Sequence, residues 1–186
     1  IKARLGIFDI DILADNCIIK IVNIDDSQKF LNENHLNGFI NGKIILGLYH
    51  ENEILSLMVF NKKTGSLNNE YELLRHSNKL NINLIGGENK LLNFFIENYQ
   101  ANLISASIDR RYFNGDIYKK LGFIFEKNIK PNYKYFNING ALKIYKQSDF
   151  KKNVLVKNGF DINKTEEEIM TERGFLRIYD CGQTKY

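Results

Sequence analysis

The pattern of apolar and polar positions is clearest over residues 84–123, and the rest of the chain is organised around this stretch. After two glycines, Leu91, Leu92 and Phe95 recur near the helical period, which predicts an amphipathic helix. A run rich in isoleucine and serine, residues 103–108, predicts a buried strand. The stretch therefore begins with a loop, a helix and a strand.

A second, shorter helix is predicted for residues 115–121. Gly122 follows it directly, and glycine is the residue that most often ends a helix in the left-handed conformation. Strands are predicted for residues 16–22, 43–49, 53–60, 70–77, 103–108, 123–127, 133–136 and 175–179, and further helices for residues 25–34, 146–157 and 165–173. These elements predict a central mixed sheet, on which the helix beginning near Gly87 packs.

Two of the predicted helices begin with capping residues. Asp25, Asp26 and Ser27 are of the types that cap a helix N-terminus. Thr165 with Glu168 three residues later forms the sequence pattern of a capping box. The sequence thus predicts where both helices start.

Gly86 and Gly87 stand directly before the predicted helix of the organising stretch. A glycine-rich loop at a helix start leaves free N–H groups, and such a helix end binds phosphate readily. Paired glycines also make tight turns without any ligand, so both interpretations stay open from these residues alone.

Length and composition describe one globular domain, or one domain with a small appendage. Of the 186 residues, 44% are hydrophobic and 26% are charged, which is ordinary for a globular protein. The sequence has no run of about 18 apolar residues, so no membrane partner is predicted. Cys17 and Cys181 stand far apart, which favours a reduced, cytoplasmic setting. Because residue 1 is isoleucine, we expect a fragment, a processed product or a trimmed chain.

The charge is unevenly distributed along the chain, although the net charge is only +4. Residues 110–157 carry 12 basic and 3 acidic side chains, whereas residues 1–109 carry 10 basic and 13 acidic ones. Tyrosines are interspersed among these basic side chains, and the mixture suits a polyanion such as nucleic acid. A solvated lysine-rich surface without a ligand is the alternative.

The run Tyr118-Lys-Lys-Leu-Gly-Phe123 resembles a motif of the GNAT N-acyltransferases, which carry Tyr-x-x-x-Gly-Phe after their fifth strand. The resemblance implies an α+β GNAT-like fold with a small helical C-terminal extension, and Tyr118 as the group that protonates a departing coenzyme A thiolate. It implies acetyl-CoA or another acyl-CoA as the cofactor, held by the loop of Ile85, Gly86, Gly87, Glu88, Asn89 and Lys90. Glu88 places a carboxylate beside the cofactor pyrophosphate, and since like charges repel, we expect no tight binding of acyl-CoA.

A second resemblance covers nearly the whole chain from about Asn16 and rests on longer motifs. They include His35-Leu-Asn-Gly38, Leu46-Gly-Leu-Tyr49, Glu72-Leu-Leu-Arg75, Asp109-Arg-Arg111, Lys130-Pro-Asn-Tyr133 and Arg177-Ile-Tyr-Asp-Cys-Gly182. They are similar to a bacteriophage GNAT-like module that follows a nuclease domain in Hef-like homing endonucleases. The resemblance implies a DNA-associated protein of the bacterial host cytoplasm, with a nuclease domain upstream. We expect a GNAT-like domain over residues 1–140 and a basic helical extension over residues 141–186, packed on it.

Asp109, Arg110 and Arg111 follow a predicted strand, where substrate clefts open in α/β sheets. In one interpretation, Asp109 orients a substrate group, Tyr118 is the second catalytic residue, and the arginines bind phosphate. In the other, Asp109 caps a turn and pairs with Arg111, while Tyr118 is a packed aromatic. Both interpretations stay open.

The side chains predicted to bind DNA belong to the basic segment and should lie towards one side of the fold. They are Arg110, Arg111, Lys130, Lys134, Lys151 and Lys152. No metal site is predicted, because the three histidines lack a ligand spacing. His35 is the best of them for a base or ligand role, since it ends a helix among polar residues. The alternative function is an active transferase that modifies a nucleobase or an amine with an acyl donor, as a resemblance to Mom-type DNA-modifying proteins implies.

Overall fold

The computed structural model describes residues 5–65, 68–138 and 143–186. By its internal packing the chain forms two compact units. The first comprises residues 1–107, 115–125 and 185–186, and the second comprises residues 108–114 and 126–184. The predicted boundary between residues 140 and 141 lies outside the described residues. The predicted division into a domain over residues 1–140 and an extension over residues 141–186 stays a prediction.

The first unit is built from a sheet and the helices that cover it. Its described elements are β1 (Ile10–Leu13), β2 (Ile18–Ile21), α1 (Ile24–Asn34), β3 (Ile44–His50), β4 (Glu53–Lys62), β5 (Glu70–Asn78), β6 (Ile82–Ile85), α2 (Gly87–Tyr99), β7 (Leu103–Asp109, its last two residues in the second unit) and α3 (Asp116–Lys120). The sheet has the order β2-β3-β4-β5-β7, with β5 and β7 parallel and the other neighbours antiparallel. A separate parallel pair is formed by β1 and β6. The predicted mixed sheet and the helix near Gly87 are confirmed.

Helix α2 is held on the sheet by aromatic packing. The ring of Phe95, fully buried, stacks on Phe60 of β4 with centroids 3.7 Å apart and meets Tyr71 of β5 edge-on at 5.0 Å. Leu91 and Leu92 join the same core. Buried aromatic pairs contribute beyond the area that they remove from water, so this cluster holds α2 against β4 and β5.

Helix α1 buries Phe30 and Leu31, and its cap differs from the predicted one. The N-cap is Asn23, whose side-chain oxygen accepts the Asp26 N–H at 2.8 Å. The predicted capping residues 25–27 lie inside the first turn instead. Asn23 has the extended backbone that a cap requires, whereas residues 25–27 are already helical.

The second unit contains its own small sheet. Its described elements are β8 (Lys127–Ile129), β9 (Tyr133–Asn137), β10 (Ile144–Lys146), α4 (Lys152–Lys157), α5 (Glu166–Glu172), β11 (Phe175–Tyr179) and β12 (Gln183–Lys185, its last residue in the first unit). Strand β9 lies between β10 and β11, and both pairs are antiparallel. Helix α5 starts at the predicted capping box, in which Thr165 and Glu168 bond reciprocally. A core of Tyr135, Leu155, Ile169, Met170 and Phe175 lies on one side of this sheet.

Two predicted elements are wrong, and a third lies in a different sheet. Residues 123–126 form no strand, because the Phe123 N–H donates to the Tyr118 carbonyl at 2.9 Å and closes the turn after α3. Residues 133–136 form a strand as predicted, β9, but this strand belongs to the second unit's sheet. Residues 146–157 are not one helix, since Lys151 has an extended backbone (φ −53°, ψ 145°) between a short 3₁₀ turn and α4.

The sequence patterns also missed the short strands β1, β6, β10 and β12. Within the described ranges, no helix combines the length and the apolar character needed to cross a bilayer.

Candidate functional site

An extra residue in β5 determines which of its side chains face α2. Along the β4–β5 pair, Phe60 lies opposite Leu73, but Val59 lies opposite Arg75, so Leu74 has no partner of its own. Such a bulge shifts the alternation of side chains by one residue, and bulges occur next to active sites, where they re-aim a side chain.

The bulge turns two polar side chains towards the α2 side of the sheet. Beyond it, His76 lies opposite Met58 and Asn78 lies opposite Ser56. Met58 belongs to the core beneath α2, and directly opposed residues share one face of an antiparallel pair. His76, Asn78 and Ser56 therefore gather on the face where α2 begins.

The same end of β5 also separates from β7. The parallel pairing runs from Glu70 and Leu103 to Leu73 and Ala106, and it ends at the bulge. Residues 74–78 continue along β4 without a described strand on their other side. In parallel sheets, crevices beyond the carboxyl ends of separating strands are the usual ligand sites.

Four side chains form a hydrogen-bonded chain at this place. The Ser56 Oγ lies 3.3 Å from the His76 Nε2, which lies 3.2 Å from the Asn78 Oδ1, and the Asn78 Nδ2 donates to the Glu88 carboxylate at 2.9 Å. An ionised carboxylate only accepts, so Asn78 turns its amide nitrogen to Glu88 and its oxygen to His76. The Nε2 of His76 must then donate, and its Nδ1 carries the lone pair. Through Asn78, Glu88 thus fixes the tautomer of His76.

Burial keeps His76 neutral. It lowers the pKa of the imidazole, whereas the Glu88 charge and the Asn78 hydrogen bond act in the opposite direction. A neutral histidine of defined tautomer is the state in which this side chain accepts a proton. The geometry therefore makes His76 a candidate base.

His35 and Arg75 belong to the same region. The Nδ1 of His35 accepts the Asn37 N–H at 3.1 Å, and burial, with the positive charge of Arg75, lowers the pKa of His35 to about 4. Arg75 donates through Nη1 to the Leu74 carbonyl, while its buried Nε has no hydrogen-bond partner among the described residues. Several perturbed groups in one place mark a candidate functional site.

Tyr118, predicted as an acid, lies on α3 in an aromatic cluster. Its ring stacks on Tyr186 with centroids 5.8 Å apart and meets Phe123 edge-on at 5.4 Å. Burial raises the pKa of Tyr118 to about 12, and the nearby Arg75 charge acts in the opposite direction. The phenol therefore keeps its proton at neutral pH. Its catalytic role stays a prediction.

Asp109 is the last residue of β7, and Arg110 and Arg111 follow it; all three belong to the second unit. The Asp109 carboxylate accepts the Arg111 N–H at 2.9 Å and the Arg111 Nε at 3.0 Å. This pairing with Arg111 lowers the pKa of Asp109. Arg110 is exposed, and its backbone N–H donates to the Gly182 carbonyl at 3.1 Å. The turn-capping contact is present, while catalysis by Asp109 and phosphate binding by the arginines stay predictions.

The predicted cofactor loop lies where β6 meets α2. Ile85 ends β6, Gly86 is the left-handed N-cap residue (φ 79°), and Gly87, Glu88, Asn89 and Lys90 form the first turn of α2. No side chain caps this helix end, which is the arrangement that leaves N–H groups for an anion.

The charged side chains of the loop do not suit a pyrophosphate. The Nζ of Lys90 donates to the carbonyls of Ala14 and Cys17 at 2.8 and 2.7 Å, so this cation is not available to a pyrophosphate. Glu88 lies in the first turn with its carboxylate held beside Asn78. The charge that the loop presents at the helix start is thus negative, and it opposes the charge of a pyrophosphate. The residues present do not fit an acyl-CoA pyrophosphate at this loop.

The basic side chains that were predicted to bind DNA are exposed. This holds for all the predicted DNA-binding residues, Arg110, Arg111, Lys130, Lys134, Lys151 and Lys152. Lys134 of β9 lies directly opposite Lys146 of β10. Apart from Arg111, none of these side chains forms an ion pair within the described ranges. In the part of the chain that the structure describes, no group of histidine, cysteine or acidic residues could hold a metal ion.

Comparisons with known proteins give the class of fold. Neither family models nor curated proteins match the sequence. Among solved structures, a Bacillus subtilis acetyltransferase in complex with CoA is similar over 91% of this chain and 95% of its own, at 13% identity and a TM-score of 0.50. The ribosomal-protein-S18-alanine N-acetyltransferase of Escherichia coli is similar over 69% and 88%, at 11% identity and a TM-score of 0.51. The fold is that of the GNAT acetyltransferases, and the predicted α+β class is confirmed; at these identities the likeness concerns the fold alone.

Sequence reasoning missed most of the hydrogen-bonded chain formed by Ser56, His76, Asn78 and Glu88. It weighed His76 only as one of three histidines without ligand spacing, and it overlooked Ser56 and Asn78 as site residues. A histidine and an asparagine two apart on a strand share a face, and that was the available signal. The bulge at Leu74 that selects the face has no sequence signature.

Proposed function

We propose that this chain is a DNA-associated GNAT-fold module of the phage homing endonuclease type, which binds the DNA backbone through the second unit. The observation that carries the proposal is that acidic side chains of the second unit pair with basic side chains of the same unit. Arg177 pairs with Glu166 and Glu167, and Lys164 pairs with Glu172. Among the described residues, Lys130, Lys134, Lys151 and Lys152 have no such partner.

The second unit also carries an excess of basic side chains. Residues 108–114 and 126–184 carry 13 basic and 9 acidic side chains, whereas the first unit carries 13 of each. Glu168 bonds within the capping box and Asp109 bonds to Arg111, so these carboxylates also have internal partners. Unpaired lysines on an exposed surface favour a polyanion, and phosphate contacts supply most of non-specific DNA affinity.

The phage context, the upstream nuclease domain and the location in the bacterial host cytoplasm rest on the sequence resemblance described above. The poor fit of the glycine loop to acyl-CoA agrees with a module that keeps the fold without its usual cofactor. In this proposal Arg110, Arg111, Lys130, Lys134, Lys151 and Lys152 position DNA phosphates and read no bases.

The test is a salt series with duplex DNA. The logarithm of affinity should fall linearly with the logarithm of salt concentration, by about 0.9 per phosphate neutralised. The double variant Lys151→Ala/Lys152→Ala should lower that slope by roughly 1 to 2 and weaken all sequences alike. A matched control is Lys29→Ala/Lys43→Ala, which removes two exposed lysines of the first unit. Salt-independent binding, no binding at low salt, or the same slope in both double variants would refute the proposal.

The second candidate is an active transferase that modifies a nucleobase or an amine with an acyl donor. The hydrogen-bonded His76 favours it, because a fixed neutral imidazole can take a proton from an amine as it attacks. Calorimetry with acetyl-CoA separates the two candidates. The DNA-associated module should show no micromolar binding, and Glu88→Ala should leave its DNA affinity unchanged. Micromolar affinity for acetyl-CoA, strengthened in Glu88→Ala, would favour the transferase.

A further inference from the structure

The three-stranded sheet of the second unit has two faces of different character. On one face, Tyr135 and Phe175 pack into the core with Leu155 and Met170. The strand register places six residues on the other face, here called the outer face. They are Lys134 and Phe136 of β9, Ile144 and Lys146 of β10, and Leu176 and Ile178 of β11.

The outer face is apolar at its centre and exposed. Ile144, Leu176 and Ile178 are 59%, 48% and 49% exposed, and Phe136 lies between Ile144 and Leu176 in the register. The solvent face of an antiparallel sheet is ordinarily polar. An exposed apolar patch of this kind marks a binding surface.

The charges on the outer face are positive only. Lys134 and Lys146 are opposed across the β9–β10 pair, and like charges in that position destabilise a sheet unless an anion lies between them. The face contains no acidic residue. A second copy of the chain would bring four lysines together at a self-complementary contact, so the charge argues for an anionic partner.

We propose that the outer face binds single-stranded DNA, with backbone phosphates at Lys134 and Lys146 and unpaired bases over Phe136 and its apolar neighbours. The inference rests on the proposed DNA-binding function and names the form of DNA. A duplex presents phosphates but keeps its base faces stacked inside, so it leaves the apolar centre of the face uncovered. Unpaired bases offer flat apolar surfaces, and stacking on an aromatic side chain is the usual way that proteins hold them.

The absence of tryptophan from the sequence provides a specific probe. In Phe136→Trp, the new indole is the one tryptophan of the full chain, and stacking of a base should quench its emission. We expect saturable quenching with an oligothymidine and at least tenfold tighter binding of it than of a duplex of equal length at equal salt. Ile162→Trp is the control, because Ile162 is 65% exposed and lies outside the sheet.

A second pair of variants covers the case in which Phe136→Trp does not fold. Ile144→Ala should weaken oligothymidine binding several-fold, whereas Ile162→Ala, which trims another exposed isoleucine, should not. Duplex binding that equals or exceeds single-strand binding, without quenching at position 136, would overturn this inference and leave the proposed function standing. No binding to either form would refute both. Concentration-dependent dimerisation that shields position 136 without DNA would also overturn the inference.

Discussion

His35 should make the stability of this protein fall as the solution is acidified from pH 7.5 to pH 5. Its Nδ1 accepts the Asn37 N–H at 3.1 Å, so protonation at that nitrogen breaks a backbone hydrogen bond. Burial and the charge of Arg75 lower the pKa of His35 from 6.5 to about 4 in the folded state. The unfolded chain therefore takes up a proton near pH 6.5, while the folded chain resists until about pH 4.

The size of the effect follows from linkage. With these two pKa values, the free energy of unfolding falls by up to about 2 kcal/mol between pH 7.5 and pH 5. His35 is half-buried, and solvent screens the neighbouring charges, so about 1 kcal/mol is the expected value. The stability is fully present above pH 6.5 and is lost as the pH falls towards the folded pKa. Burial lowers the pKa of His76 as well, so His76 adds a loss of the same sign.

The variant His35→Asn isolates the contribution of His35. Asparagine places an oxygen about where the imidazole Nδ1 lies and can still accept the Asn37 N–H, but it cannot be protonated. Urea unfolding at pH 7.5 and pH 5, followed by circular dichroism, should show a smaller acid loss in the variant, by about 1 kcal/mol. An NMR titration of the His35 ring measures its pKa directly. Equal acid losses in both proteins, or a titration midpoint near 6.5, would contradict the reasoning.

Two further predictions concern single contacts. Gly159 and Gly182 both have positive φ. A Cβ added at Gly159 meets no atom within 4 Å, whereas a Cβ added at Gly182 would lie 2.3 Å from the Ile129 carbonyl oxygen. Gly182→Ala should therefore lower the midpoint of thermal unfolding clearly more than Gly159→Ala, whose cost is about 1 kcal/mol of backbone strain; equal shifts would contradict the clash. Lys90→Met removes the cation that bonds the Ala14 and Cys17 carbonyls and should cost about 1–3 kcal/mol in urea unfolding, whereas Lys29→Met, at an exposed position, should cost little.

Strong periodicity made the core of the first unit predictable. The helix over Leu91 and Phe95, and the strands on either side of the β3–β4 turn, appear in the structure nearly as predicted. Glu51 and Asn52 form that turn with positive φ, a conformation that the short polar side chain of asparagine tolerates.

Prediction failed where local patterns compete with tertiary pairing. Lys146 and Phe150 stand at helical spacing, yet pairing of β10 with β9 places Lys146 in a strand. The candidate site was harder to predict than these elements. His76 and Glu88 are 12 residues apart, and they are connected through Asn78 only because a bulge and a helix start meet in space. The lysine-rich segment was visible from composition alone, but the opposition of Lys134 and Lys146 depends on strand register.

The path of the chain limits how this protein can be divided. The backbone passes from one unit to the other after residues 107, 114, 125 and 184, so neither unit is a continuous piece of sequence. Tyr186 exchanges two hydrogen bonds with Ala106, both at 2.9 Å, within the first unit. A fragment ending at residue 140 would lose this strand partner, and a fragment starting at residue 141 would lose β9, on which β10 and β11 pair. Gain or loss of the basic unit in evolution would therefore need more than the addition or removal of a terminal segment.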